Sequence, residues 1–311
     1  MLTAKTVFVL GAGASAPYGF PTGFSLLKSL LGMKRRVRNP RPELLDTYEC
    51  LVDAGFKNEH IAAFLDELRD SGRSSVDAFL EHRPALLDVG KAAMAAALLP
   101  RETHDALFGL QAMDSGHWYQ FVFNKLNAAF DDLDRNDVAF LTFNYDRSLE
   151  YYLTTAIQNA YGKTFAEAAV KVEKLRILHL YGDLGELTEY DAVQWRKARN
   201  LSGEAIRAAA DRVHIIHSAK GDEQFALARQ WLVNAEVICF LGFGYHPLNV
   251  QRLLDSVRVA SQTRALGTGH GMGIAERASA QAAVRKSLPT FEINQQNWPV
   301  LQFLENAFFW W

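Results

Sequence analysis

Cysteine is nearly absent: the 311 residues include only Cys50 and Cys239. Two thiols cannot furnish a four-cysteine zinc site, and they argue against a disulfide framework. Cys239 lies inside an apolar run and reads as a core residue. No stretch approaches the roughly 20 consecutive apolar residues that a membrane helix needs. The first apolar run begins a few residues after Met1, which leaves no room for a signal peptide. A dominant charge is lacking too. With 33 Lys and Arg against 35 Asp and Glu, the net charge of −2 gives no general case for nucleic acid or a membrane surface. These absences point to a cytoplasmic protein. Hydrophobic residues at 49% and charged residues at 22% are ordinary for a globular core, in one large domain or two modest ones.

What is present centres on VFVLGAGASAPYGFPTG, residues 7 to 23. Val7 to Leu10 is a short run rich in β-branched residues and predicts a buried strand. It stops at Gly11-Ala12-Gly13-Ala14-Ser15-Ala16, where no side chain exceeds a hydroxymethyl group. Such a turn lets backbone N–H groups approach an anion, and a following helix N-terminus adds partial positive charge, so a pyrophosphate would fit. Pro17, Gly19, Pro21 and Gly23 extend the loop before a long helix can begin. The acid that an ordinary dinucleotide dehydrogenase carries about 20 residues later is missing. Lys34-Arg35-Arg36-Val37-Arg38, then Pro40 and Pro42, occupy that region, and this basic run reads as a solvated face.

From Phe24 to about Phe130 the pattern is helical, with apolar residues three and four apart in Leu44–Val52, Ile61–Leu68 and Val76–Leu80. Ser74-Ser75-Val76-Asp77 predicts a helix start, Pro84 an interruption, and Lys91–Leu99 a strong helix. Further strands are expected at Val138–Phe143, Leu175–Leu180, Val213–His217, Val237–Leu241 and Arg264–Leu266, with helices at Leu149–Ala160 and Ala226–Val233. Residues 184 to 212 show no clear pattern beyond helical pieces. The chain ends in the apolar NAFFWW, either a core plug or an interface element.

Strands separated by helices, with glycine-rich turns after several of them, predict an α/β fold: a doubly wound, mostly parallel, Rossmann-like sheet. Residues 1–24 and 131–311 would form this domain, and 25–130 a large inserted helical subdomain. In such sheets ligands bind beyond the C-terminal strand ends. Those ends carry Gly11 to Ser15, Asn144-Tyr145-Asp146, His179 and Gly242-Phe243-Gly244-Tyr245-His246.

Four segments in order carry a resemblance: GAGASAPYGFPTG, Thr142-Phe143-Asn144-Tyr145-Asp146, the His179 segment, and LGFGYHPLN from Leu241 to Asn249. The chain resembles the sirtuin superfamily over roughly residues 5 to 275, and within it the bacterial sirtuin-like NAD hydrolases of anti-phage defence. Its TFNYD matches the T-x-N-x-D element of sirtuins at all three fixed positions. The resemblance implies NAD as substrate, with Asn144, Asp146 and His179 catalytic. It also implies NAD contacts from Gly11, Ala12, Gly13, Ser15, Pro21, Thr22, Asn144, Asp146, Gly242, Gly244, Asn249, Gly267 and Thr268. Release by self-assembly or by a defence-system partner protein is implied as well.

The chemistry suits those types. Cleaving the nicotinamide–ribose bond develops positive charge on the sugar. A neutral amide such as Asn144 can position ribose or water. Asp146 can hold a hydroxyl and lend negative potential. His179 is the candidate base. Bland readings stand beside these: Asn144 and Asp146 as helix caps, and His179 as a structural histidine. His214 and His217, three apart, lack a third ligand for a metal. The missing zinc cysteines and the large insertion count against a sirtuin-type protein deacylase. The expectation is therefore an NAD glycohydrolase, with a non-catalytic NAD or ADP-ribose sensor as the alternative. A flavin or nicotinamide oxidoreductase is a weaker one.

Overall fold

A computed structural model describes residues 1–33, 47–110, 112, 116–197, 201–215 and 222–308. Six strands form one all-parallel sheet: β1 (Thr6–Leu10), β2 (Val138–Thr142), β3 (Ile177–His179), β4 (Val237–Leu241), β5 (Arg264–Gly267) and β6 (Glu292–Ile293). Their order is 3-2-1-4-5-6. β1, β2 and β4 are buried at every position, so they carry apolar runs without alternation, as strands covered on both faces must. The fold is thus the expected doubly wound, Rossmann-like α/β architecture.

The register aligns the strand ends. Leu10 pairs with Thr142 on one side and Leu241 on the other, and Thr142 pairs with His179. The direction of winding reverses between β1 and β4, so the loops after these two strands flank the switch point.

Alternate strand residues face two helical layers. Phe8, Leu10, Val138 and Phe140 join a cluster containing the helices between β1 and β2 and the C-terminal helix Val300–Asn306. Phe8 and Phe140 stack across neighbouring strands at 5.3 Å. Val7, Val9, Ala139, Ile238 and Phe240 pack instead on the helices Asp222–Val233, Pro247–Leu254 and Ile274–Arg285. The long helical segment is therefore one of the two layers on the sheet. At its centre the helix Leu87–Leu98 is buried from Ala92 to Leu98, where alanine allows neighbouring helices to approach.

Several local expectations change. Val213–Ile215 is outside the sheet: Val213 ends the helix Gly203–Arg212, and the His214 N–H donates to Tyr181 O at 2.8 Å. Residues 216 and 217, the basic run 34–41 and the last three residues lie outside the described residues. Pro84 opens a 3₁₀ turn that leads into the Leu87–Leu98 helix, a place where its missing N–H costs nothing. Residues 184–212 hold two capped helices, Glu189–Arg196 behind a Thr188–Asp191 capping box and Gly203–Arg212 behind Ser202. Among the described residues no helix is long and apolar enough to cross a membrane.

Candidate functional site

The turn after β1 closes into one helical turn, Ala12–Ser15, and a 3₁₀ turn, Ala16–Tyr18; the first long helix starts at Gly23. Its glycines meet backbone. A Cβ on Gly11 would lie 2.6 Å from Gly242 O, and one on Gly13 2.8 Å from the same oxygen. Gly242 has φ +57, and a Cβ there would lie 2.1 Å from Ala14 N. Only glycine permits this contact. The Gly11 N–H donates to Leu241 O at 3.0 Å and the Gly13 N–H to Gly242 O at 2.9 Å. The two N–H groups expected to cradle a phosphate are thus used to join the β1 and β4 loops. Behind them, Trp118 Nε1 donates to Ala14 O at 2.7 Å and holds the turn on the helical layer.

The β2 loop supplies the polar centre. Asn144 Nδ2 donates to Gly11 O at 3.0 Å and to Ser15 Oγ at 2.9 Å, bridging to the glycine turn. A helix cap would have bonded forward instead. Asp146 does serve the following helix, Ser148–Tyr161: its Oδ1 accepts from the Ser148 N–H at 3.2 Å and from the Ser148 hydroxyl. Burial drives the Asp146 carboxyl up to about 6 from 3.8, against the lowering effect of the Ser148 and Ser15 hydroxyls, with Glu150 adding to the rise. Ser148 Oγ in turn lies 2.7 Å from Tyr119 Oη.

Ala12, Ser15, Pro21, Asn144 and Asp146 line one cavity of about 100 Å³. Phe20, Leu26, Leu98 and Phe143 give it apolar walls, and Gly23, Asp77 and Tyr145 complete it. Thr22 is exposed beside its rim. His179 does not line this cavity. It sits behind Asn144 and Asp146, around a space of only about 10 Å³ shared with Ser15, Tyr119 and Glu150. His179 Nδ1 lies 2.7 Å from Asn144 O, and Nε2 lies 2.6 Å from Glu150 Oε1. Both neighbours are acceptors, so both ring nitrogens carry protons and the side chain is an imidazolium. Burial opposes that charge, but the Glu150 carboxylate, with Asp183 and the Asn144 carbonyl, outweighs it and raises His179 from 6.5 to about 9.

The remaining expected residues gather on the β4–β5 side, away from the cavity. The Gly242 N–H donates to Thr268 Oγ1 at 2.8 Å, and Asn249 Oδ1 accepts from Tyr181 Oη at 2.8 Å. Tyr245 Oη, which donates to Thr268 O, fills the space beside Gly267. Gly244 is exposed and open.

Sequence reasoning missed Asp77, Tyr119, Ser148 and Glu150. Glu150 had a signal, since four residues after Asp146 it projects from the first helical turn. Asp77 and Tyr119 had none, because folding alone brings them from the helical layer. Compared with known proteins, the chain matches no family model and no curated protein sequence.

Proposed function

We propose that the cavity takes the nicotinamide–ribose end of NAD and that the protein hydrolyses the bond between them. The observation carrying this reading is the Asn144 bridge: an amide and a carboxylate from the β2 end meet the β1 turn around one cavity with apolar walls. In the reaction the C1′–N1 bond breaks and its electron pair stays on nicotinamide, which leaves neutral. Water adds to C1′ and loses a proton, giving ADP-ribose. Asp146 beside the sugar stabilises the developing cation and, titrating near 6, can take the proton. Asn144 Oδ1 is the acceptor that orients water or a ribose hydroxyl. His179, held by Glu150, fixes the Asn144 carbonyl from behind. A cavity of about 100 Å³ takes one ring-sized group, so the adenosine half would lie outside it.

Such an enzyme drains its cell of NAD, so we read it as held in check by self-assembly or a partner protein, in a defence role. One observation favours a second reading, a module that binds NAD or ADP-ribose without turnover: neither ring nitrogen of His179 is open to act as a base. NAD consumption by purified protein separates the two. The expected result is nicotinamide release by the wild type and its loss in Asn144→Ala. His179→Ala should be slowed less if His179 acts through Asn144, and equally if it touches substrate. Equal slow loss in all three proteins sinks the hydrolase. Calorimetric binding of NAD without cleavage, even in the assembled state, identifies the sensor.

A further inference from the structure

The helix Val76–Leu80 begins at Ser75, whose hydroxyl caps the Ala78 N–H at 3.2 Å. Its second residue, Asp77, reaches the wall of the Asn144–Asp146 cavity. There Tyr145 Oη donates to Asp77 Oδ1 at 2.8 Å. Among the described residues no Lys, Arg or His pairs with Asp77 or with Asp146, and no basic residue lines the cavity. Asn144, nine-tenths buried in the same wall, has an Oδ1 that accepts no hydrogen bond from any described residue. The cavity therefore joins apolar walls to two carboxylates, with no basic residue in its lining, and an open acceptor. Carboxylates held in such a place favour a bound cation.

Building on the proposed NAD reading, we propose that Asp77 reads the charge of the substrate, selecting the cationic pyridinium of oxidised NAD over the neutral dihydropyridine of the reduced form. The geometry places Asp77 and Asp146 in the walls around one ring-sized space, so a fixed positive charge there is attracted from both. Burial holds both carboxyls above their ordinary values, Asp77 against the lowering hydrogen bond from Tyr145, and a bound cation would pull both down. The residue comes from the helical layer rather than from a strand end. That layer therefore contributes to specificity as well as to the core.

The test is calorimetric binding of a carbocyclic NAD analogue, whose ring oxygen is replaced by methylene so that it resists cleavage, in its oxidised and reduced forms. The wild type should prefer the oxidised form by about tenfold or more. Asp77→Asn keeps an acceptor for Tyr145 but removes one of the two charges, and should cut the preference by about threefold or more, by weakening only the oxidised form. Tyr145→Phe keeps the carboxylate and should keep the preference. If Asp77→Asn melts well below the wild type, Asp77→Ser, smaller and uncharged, provides the same readout. A folded Asp77→Asn or Asp77→Ser that keeps the full wild-type preference overturns this inference alone. A wild type that binds both forms equally does the same. A wild type that binds neither form overturns the NAD reading and the inference with it.

Discussion

His179 shows how a neighbouring carboxylate decides what a histidine can do. Pinned between Asn144 O and Glu150 Oε1, it is a cation whose folded-state value of about 9 exceeds the ordinary 6.5. A raised value means that the folded protein holds the proton more tightly than the unfolded chain. The stabilisation is complete below 6.5 and is lost as pH rises through about 9. Its size is about 3 kcal/mol. Replacing Glu150 by Gln removes the outweighing charge and leaves burial dominant. The His179 imidazole should then titrate near or below 6.5 in a nitrogen-15 NMR titration, and the loss of urea stability between pH 7 and pH 10 should shrink. An unchanged titration would mean that Glu150 does not hold the proton. At this scale Asn144, Asp146 and His179 were legible from their positions after strands. Their division into two that line the cavity and one behind them was not, because it depends on where Glu150 points.

Between β2 and the Ser148–Tyr161 helix, the loop that carries Asn144 and Asp146 is fastened by an ion pair. Arg147 Nε donates to Glu102 Oε1 at 3.0 Å and an Nη to Oε2 at 2.6 Å, and a second Nη donates to Glu186 O at 2.9 Å. Arg147 is 3% exposed and Glu102 fully buried. Breaking a pair so placed takes the Arg147 charge away from a buried carboxylate. Arg147→Met should cost about 3–5 kcal/mol in urea denaturation. Adding Glu102→Leu should recover a large part, because no buried carboxylate then faces the methionine. A double variant no more stable than Arg147→Met would show that packing, not charge, is what Arg147 contributes. Elements differ in how far they announce themselves. β1, β2 and β4 are five-residue apolar runs, readable because both faces are covered. β6 has two residues and no periodicity to read, whereas Val213–Ile215 has the composition of a strand and no partner strand among the described residues. The capping residues Thr188 and Ser202 were in view, yet the weakly apolar segments behind them hid their helices.

For the molecule as a whole, the helical layer between β1 and β2 shares one hydrophobic cluster with the sheet, from Leu27 and Phe64 through Met94 to Phe8 and Phe140. Neither part can lose its partner without exposing this surface. Differential scanning calorimetry should therefore show one transition with equal calorimetric and van't Hoff enthalpies. Two transitions would make residues 25–130 an independent subdomain. By itself the sequence determined the doubly wound class, the strands that build the middle of the sheet, and the glycine turn with Asn144 and Asp146 at strand ends. Those features follow from local composition and from the rule that ligands sit beyond parallel strand ends. Tertiary structure alone decided that Gly11 and Gly13 face Gly242 instead of an open pocket, that Glu150 makes His179 a cation, and that Asp77 enters the site. Each is a contact between segments far apart in the chain or turned toward each other by a helix, and such contacts are set by how layers pack on a sheet, which local patterns do not encode.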